Sequence, residues 1–385
     1  MRVSRVVFFA LQAAALFLTA AGRSAWALPT MIRLGYPNCV SCHITPQGGG
    51  LLNSYGRGID KAQSLLGGEY VPLDSDWFKM LNWNGRITQD FRSIIQQQDT
   101  STTGRAGTQL FRSRVMYRNA TELGKGFRFT ATLTGENQGV TRPNVPYDSP
   151  ARQSQLFVNT ALLSYRAKAL EVSAGRDQLP TGLNIPDLGA FIKSRNHLGY
   201  YDAPTQLKAT WWGGRYYVSS YAFGPGGNEA AGHHESGGGV LAEFDLRGNR
   251  RTVVGMNLLR GTATSEDRTQ FGPYARLGFG KWGILAEHDF TNRNWKMGTP
   301  ASFGQTTSYG QLFWAAREWL VPSLIVERLS VDRPYQEHLL AAKLEVSARV
   351  SSYLTVSIGP RLQRDQLTGR MSRSIVFQVA MKGAR

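Results

Sequence analysis

Residues 281–290 read KWGILAEHDF, and this stretch decides the class of fold. Apolar and polar side chains alternate in it with a period of two, which is the period of a β-strand. One face carries Trp282, Ile284, Ala286, His288 and Phe290, and the other carries Lys281, Gly283, Leu285, Glu287 and Asp289. The pattern therefore predicts a strand with one apolar face and one charged face.

Similar strands follow one another from Trp83 to Met381, with further clear alternation at residues 127–134, 240–247, 340–349 and 354–362. About sixteen strands are predicted, an even number, as single-chain bacterial barrels require. They are expected to start near residues 84, 108, 126, 154, 168, 205, 215, 237, 251, 269, 281, 306, 319, 337, 350 and 371.

Periodicity alone fits two folds. In a sandwich the apolar face packs in a core, whereas in an outer-membrane barrel it meets lipid and the polar face lines the lumen. Strands of about 10–13 residues suit a tilted membrane crossing. Aromatic residues near strand ends resemble membrane-interface girdles: Trp77, Trp83, Trp211, Trp212, Tyr216, Tyr217, Trp282, Trp314, Trp319 and Tyr353. We therefore predict an all-β, ~16-stranded transmembrane outer-membrane β-barrel over residues 77–385.

An export signal is predicted over residues 1–27. Arg2 and Arg5 form a basic region, residues 6–21 are apolar, and residues 25–27 read AWA, which fits a small-x-small cleavage site. The mature chain is then expected to start at Leu28; an uncleaved N-terminal anchor is the alternative. Both interpretations bring the chain to the bacterial periplasm.

The net charge of the chain indicates which kinds of partner it can bind. The formal net charge is +17, and loss of the three arginines before residue 28 leaves about +14. A strongly basic exported protein is expected to meet anionic partners: outer-membrane lipid and lipopolysaccharide phosphates, an acidic redox protein or anionic solutes. Nucleic acid is not expected. No apolar run after residue 27 reaches 18 residues, so no transmembrane helix is predicted.

The only two cysteines are Cys39 and Cys42, and His43 follows at once. This is the C-x-x-C-H pattern of covalent c-type haem attachment, in which two thiols bind the haem vinyl groups and the histidine is the proximal iron ligand. A disulfide or redox pair and half of a zinc site are the alternatives. Residues 28–76 are thus predicted to be a monohaem cytochrome c segment, with a short helix within residues 51–66. So short a segment buries too little to enclose a haem, so it should borrow walls from the barrel.

The sixth haem ligand is left open by the sequence. Met31 and Met80 are the leading candidates, and His197 is the third; Tyr36, Asn53, Tyr55 and Lys61 are weaker ones. Methionine ligation would raise the redox potential. An open sixth position would instead suit a haem enzyme or gas sensor.

Two connections between predicted strands are long. Residues 176–204 lack alternation but are rich in aliphatic residues, and they are expected either to fold inward onto the haem segment or to form a surface loop. Residues 224–239 are small and polar and are expected to be a loop. His233 and His234 within it are expected to be solvated, with metal binding as the alternative.

Residues 28–33 (LPTMIR), Cys39–His43, Pro46 and residues 52–57 (LNSYGR) resemble the fused monohaem cytochrome–porins of the outer membrane, a family that includes outer-membrane iron oxidases. The resemblance implies a haem segment that plugs a barrel of about sixteen strands. It also implies electron transfer from an extracellular donor such as Fe(II) to a periplasmic carrier such as a soluble cytochrome c.

The main functional hypothesis is therefore outer-membrane electron transfer by one covalent haem c inside a porin-like barrel, in a monomer or small oligomer. Whether this amounts to enzymatic iron oxidation is left open. The alternative is an outer-membrane porin for anionic solutes with a haem gate or sensor. Its candidate lumen-facing cations are Arg112, Arg114, Arg118 and Arg128.

Overall fold

The computed structural model describes residues 29–47, 50–66, 86–102, 105–136, 156–185, 189–199, 202–226 and 234–384. The predicted signal peptide and Trp77, Met80 and Trp83 lie outside these ranges. Among the described residues, no helix is both long and apolar enough to cross a membrane.

Sixteen strands account for most of the described chain. They are β1 (Ile87–Thr102), β2 (Arg105–Gly124), β3 (Phe127–Glu136), β4 (Leu156–Ala167), β5 (Leu170–Arg176), β6 (Thr205–Trp212), β7 (Tyr216–Gly224), β8 (Ser236–Asp245), β9 (Thr252–Thr262), β10 (Glu266–Phe279), β11 (Trp282–Trp295), β12 (Ala301–Trp314), β13 (Leu320–Val331), β14 (Glu337–Ser351), β15 (Leu354–Asp365) and β16 (Met371–Ala384). Each begins within five residues of its predicted start.

The strands form one closed barrel. Each strand pairs antiparallel with its neighbours in the chain, and β1 closes the sheet on β16, with Asp90 opposite Ala384 and Thr102 opposite Ser372. Closure pairs the backbone of every strand and leaves no edge, which is what a sheet needs to cross a bilayer. The predicted all-β barrel of sixteen strands is confirmed.

The two faces of the barrel differ as the alternation predicts. On β11 the outward side chains of Trp282 and Phe290 are 43% and 48% exposed, whereas the inward Glu287 and Asp289 are 3% and 0% exposed. Outward leucine, valine and phenylalanine side chains continue around the barrel. A belt of this kind is stable against lipid and not against water. The barrel is therefore an integral protein of the Gram-negative outer membrane.

The two rims of the barrel are unequal. The turns that follow β2, β4, β6, β8, β10, β12 and β14 are all short, and we call that end the short-turn rim. The start of β1 and the end of β16 lie there too. The opposite end, the long-loop rim, carries residues 177–204. In bacterial barrels short turns face the periplasm, and longer loops face outward.

One local prediction is wrong. The glycine-rich stretch expected to be a loop over residues 224–239 is partly strand, because β8 already starts at Ser236. A Cβ atom on Gly237 would lie 2.0 Å from the Arg260 carbonyl oxygen, and one on Gly239 would lie 2.4 Å from the Tyr221 hydroxyl. Glycine at these positions lets the neighbouring strand and a lumen side chain approach closely. His233 lies outside the described residues.

The lipid-facing side of the barrel gives a first prediction. Leu344 lies midway along β14 with 58% of its side chain exposed. We expect Leu344→Arg to lower the free energy of unfolding by about 2–4 kcal/mol in phospholipid vesicles, because it places a charge near the bilayer centre. Leu367→Arg is the matched control. That leucine is 48% exposed in the turn after β15, where the expected loss is about 0–1 kcal/mol. Equal losses would contradict the assignment of this face to lipid.

Candidate functional site

The C-x-x-C-H motif forms a single helical turn. Cys39–Ser41 is a 3-10 helix, and the backbone NH groups of Cys42 and His43 both donate to the Cys39 carbonyl, at 3.2 and 2.9 Å. Residues spaced by three and four positions share one face of such a turn. The turn therefore brings the backbones of Cys42 and His43 next to that of Cys39.

A short stretch that follows the motif holds this turn in place. The Ile44 NH donates to the Leu51 carbonyl at 3.0 Å, and the Asn53 NH donates to the Cys42 carbonyl at 2.9 Å. The Asn53 side chain also caps helix α1 (Ser54–Ala62), because it accepts a bond from the Gly56 NH at 2.8 Å. The Asn53 amide then donates to the Ser41 carbonyl at 3.2 Å. One asparagine thus joins the motif to the helix.

Gly56 lets α1 lie directly on the motif. A Cβ atom at this position would lie 2.1 Å from the Cys42 carbonyl oxygen, which is closer than a side-chain carbon can approach a backbone oxygen. Glycine within a helix lowers helix stability by about 1 kcal/mol relative to alanine. The close approach of the Cys42 carbonyl explains why a glycine is nevertheless present at this position. This contact and the Asn53 cap account for two residues of the 52–57 stretch on which the family resemblance rests.

Arginines of the barrel wall bind the segment that carries the motif. Arg128 and Arg166 donate to the Ile44 carbonyl at 3.0 and 2.7 Å, Arg276 donates to the Pro37 carbonyl at 2.7 Å, and Arg349 pairs with Asp60. All four lie within a few residues of a short turn. The motif is therefore held inside the barrel at the short-turn rim.

The 3-10 helix Pro29–Leu34 packs on the wall beside the motif. A Cβ atom on Gly278 of β10 would lie 2.5 Å from the Arg33 Cα, so the two backbones are in direct contact. Arg33 pairs with Glu318 of the turn after β12. Ile32 is 1% exposed in an apolar cluster with Leu183 of the 177–204 connection. The segment thus borrows its walls from the barrel, as its short length predicts.

The described parts of the connection after β5, residues 177–185, 189–199 and 202–204, fold into the lumen. The Leu183 NH donates to Glu287 at 2.7 Å, and the Phe191 NH, at the start of the short helix α2 (Phe191–Ser194), donates to Glu327 at 2.8 Å. The Asn196 amide donates to Asp289 at 2.7 Å. Of the two interpretations left open by the sequence, the inward fold is the one found. We call these residues the inward loop.

The inward loop also contacts the motif segment. The Asn184 amide donates to the Gln47 carbonyl at 3.0 Å, and the Gln47 amide donates to the Gln178 carbonyl at 3.1 Å. A small cavity of about 60 Å³ lies where they meet. Its lining includes Cys39, Gln47, Lys193, Tyr217, Glu243 and Arg276, and Cys39 is the one motif side chain on it.

The environment of the thiols distinguishes between the chemical alternatives. Both cysteines are free. Loss of hydration inside the protein raises the pKa of the Cys39 thiol to about 11, although nearby Arg276 acts in the opposite direction. Burial also raises the pKa of Cys42. In redox-active C-x-x-C pairs the thiol pKa is lowered, which is the opposite direction to the one found here. Among the described residues, no cluster of three His, Cys, Asp or Glu side chains could hold a metal ion.

The sixth-ligand candidates lie in different places. Met31 is buried, at 5% exposure, in the 3-10 helix beside the motif. His197 is also buried, with its Nδ1 atom 3.3 Å from Glu266 at the start of β10. The motif lies beside Arg276, ten residues further along that strand, and ten residues span about 33 Å. Met80 lies outside the described residues. All three candidates stay predictions. Of the two that lie among the described residues, Met31 is nearer to the C-x-x-C-H motif than His197 is.

The weaker candidates are occupied elsewhere. The Tyr36 and Tyr55 hydroxyls share a hydrogen bond, and this bond together with burial raises the pKa of Tyr36 to about 12. Asn53 is committed to the motif backbone, and Lys61 is exposed on α1.

The candidate lumen cations are paired with carboxylates. Arg114 pairs with Glu136 and Arg118 with Asp90, and all four side chains are buried. Arg128 pairs with Glu122 at 2.6 Å, in addition to its bond to the motif segment. The side chain of Arg112 is not among those described. Pairing cancels much of the positive field that an anion channel would need.

Sequence reasoning missed the groups that anchor the two lumen segments. Arg166, Arg276 and Arg349 bind the motif segment, and Glu287 and Glu327 bind the inward loop. Each is a charged residue at an inward position of a strand, which is the signal that could have found them.

Comparison with known proteins supports the fold. The chain matches no protein-family model and no curated protein. Among solved structures it is similar to the in-vitro folded outer-membrane protein OmpT of Vibrio cholerae, with a TM-score of 0.55, 9% identity, and coverage of 82% of this chain and 100% of that one. It is also similar to an anion-selective porin from Comamonas acidovorans (TM-score 0.53, 12% identity, 78% and 100% coverage) and to OprB of Pseudomonas putida at high pH (0.55, 11%, 81% and 97%). The chain has a porin-type outer-membrane barrel.

Two glycines of α1 form a matched pair for a test. We expect Gly56→Ala to reduce covalent haem on the purified barrel several-fold, because the methyl group would clash with the Cys42 carbonyl oxygen. Gly58→Ala is the control, since a Cβ atom there has no neighbour within 4 Å and alanine favours the helix. Haem-stained denaturing gels, normalised to total barrel, measure the effect. Equal haem in both variants would show that the packing of α1 on the motif is not needed.

Proposed function

We propose that Cys39 and Cys42 bind one haem c covalently, with His43 as the proximal ligand, and that the barrel uses it to move electrons across the outer membrane. One observation carries the proposal. The three side chains lie on one helical turn, and arginines of the barrel wall hold that turn inside the lumen.

The surroundings of the turn fit the group. The cavity beside Cys39 brings Arg276 and Lys193 together with the apolar side chains of Leu241 and Tyr217. Apolar side chains of this kind suit the ring of a haem. Arg276 is paired with Glu243, and Lys193 donates to the Thr181 carbonyl at 2.9 Å. A bound haem supplies a one-electron Fe(III)/Fe(II) couple. The protein's own contribution is to hold the proximal imidazole in place and to keep water from the site by burying His43 and Cys42.

The position of the motif affects how the electron donor and the electron acceptor can reach it. Because the motif lies at the short-turn rim, a periplasmic carrier such as a soluble cytochrome c can approach it closely. An extracellular donor stands on the far side of a hydrocarbon layer of about 30 Å. Such a donor therefore has to be small enough to enter the lumen, which favours an ion such as Fe(II) over a mineral surface or a protein.

A second candidate function is permeation of anionic solutes. A solved structure of the same fold is described as an anion-selective porin, and the mature chain is strongly basic. The buried pairing of Arg114 and Arg118 weakens it. Conductance of the barrel in planar bilayers, with and without the motif segment's haem, distinguishes the two functions. A haem-free barrel that is strongly anion-selective, and unchanged by haem, would favour permeation.

The cysteines give the primary test of the proposal. We expect the barrel expressed with the cytochrome c maturation system to carry one haem that survives denaturing gels. The double variant Cys39→Ala/Cys42→Ala should lose it, because each thiol supplies one thioether bond. The variant should still fold, as judged by heat-modifiable migration. Haem that stays bound to the denatured double variant, or a parent protein without covalent haem, would contradict the proposal.

Met31 gives a test of the sixth ligand. We expect Met31→Leu to abolish the weak long-wavelength absorption band of oxidised methionine-ligated haem and to lower the redox potential, since methionine raises it. Leucine keeps the apolar packing of this buried position. His197→Gln, at the other end of the lumen, is the control and should leave both readouts unchanged. An unchanged Met31→Leu spectrum would leave Met80 as the leading candidate.

A further inference from the structure

The short-turn rim carries a ring of positive charge. The seven short turns contain eight basic residues, all exposed, and one acidic residue, Glu318, which pairs with Arg33. The basic residues are Lys125, Lys168, Arg215, Arg247, Arg250, Arg251, Lys281 and Arg317. We call them the basic ring. No described carboxylate forms an ion pair with any of them.

The described short connections of the opposite rim carry a smaller basic excess. Residues 263–265, 296–300, 332–336 and 366–370 hold three basic residues and one acidic residue. Lys296 among them pairs with Asp267 at 2.6 Å. The larger excess of positive charge is thus at the end of the barrel that holds the C-x-x-C-H motif.

Three members of the ring occupy backbone positions that disfavour them. Lys125, Lys168 and Arg250 have φ angles of 52°, 52° and 61°. Glycine and asparagine adopt this left-handed conformation with less strain and are the usual residues in such turns. A long basic side chain at all three positions is a cost to folding, and it points to a use for the charge.

The ring surrounds the mouth that leads to the motif. The Leu65 and Leu66 NH groups donate to the Arg349 and Val350 carbonyls at 3.1 and 3.0 Å, which places the end of α1 at the same rim. Lys61 of α1 is exposed there. Lipid headgroups can reach the outer perimeter of the rim, but they do not cover its centre. A globular protein can span the ring and the mouth together.

We propose that the basic ring docks a soluble, acidic redox protein whose carboxylates surround its exposed redox centre. The inference rests on the proposed electron transfer and adds the chemistry of the partner and the surface that binds it. Complementary charge raises the association rate by about 10–10³-fold at low ionic strength, and it orients the partner over the mouth. Docking at this rim puts the partner's redox centre next to the segment that carries Cys39 and His43.

The test measures binding of plastocyanin, an acidic copper protein, to the barrel in phosphatidylcholine nanodiscs by surface plasmon resonance. The triple variant Lys125→Asn/Lys168→Asn/Arg250→Asn removes three charges of the ring. We expect its association rate at low ionic strength to fall at least about tenfold, with a melting temperature equal to or above the parent's, because asparagine relieves the strained turns. Lys296→Asn/Arg370→Asn on the long-loop rim is the control and should bind as the parent does.

Two results would overturn the docking proposal. The first is a triple variant that binds plastocyanin as fast as the parent, or a control that loses as much as the triple variant. The second result has two parts: the triple variant keeps plastocyanin binding, and it is not stabilised by phosphatidylglycerol nanodiscs in the way that the parent is. That result would assign the ring to lipid. The measurement is repeated with Cys39→Ala/Cys42→Ala, which needs no haem. If that variant binds plastocyanin, the docking proposal is supported even where the electron-transfer proposal fails. Failure of docking and failure of electron transfer can therefore be told apart.

Discussion

A closed barrel of sixteen strands encloses more space than its own inward side chains fill, and the rest of this structure follows from how that space is filled. Two segments outside the strands enter the lumen, the motif segment from the short-turn rim and the inward loop from the other. They meet at Gln47 and Asn184 and share an apolar cluster. The barrel thus supplies the walls that a segment of this length lacks.

Irregular chain inside a membrane barrel needs partners for its backbone. Here the partners are charged side chains at inward strand positions. Near the short turns, arginines donate hydrogen bonds to carbonyl groups of the motif segment. On β11 and β13, carboxylates accept hydrogen bonds from NH groups of the inward loop. Charges that face the lumen are otherwise buried in pairs, such as Arg293 with Glu266 and Arg268 with Glu235. Buried ions are stable only when paired in this way, so the same residues hold the loop and limit the free charge of the pore.

The regular part of the fold was predictable because a period of two survives in most strands, as in β4, β11 and β13. Strand starts fell within five residues, and the helix predicted within 51–66 was found at Ser54–Ala62. The lumen contacts were not predictable. Arg276 and Pro37 are 239 positions apart, and nothing local to either residue indicates the other. The glycines of β8 were misassigned because glycine usually marks a loop, whereas here close packing of Tyr221 requires it. The assignment of Cys39, Cys42 and His43 to haem attachment rests on their spacing alone and stays a prediction.

The central claim is that electrons cross the membrane through the haem segment and not by passage of solutes. The haem-loaded barrel is placed in liposomes that enclose ferricyanide, and Fe(II) is added outside. Reduction of the enclosed ferricyanide is followed by absorbance, and leakage is measured separately. The account predicts rapid reduction with the parent barrel and reduction at the leak rate with the folded, haem-free Cys39→Ala/Cys42→Ala barrel. Equal, rapid reduction by both barrels would show that solutes pass through the pore, and it would contradict the account.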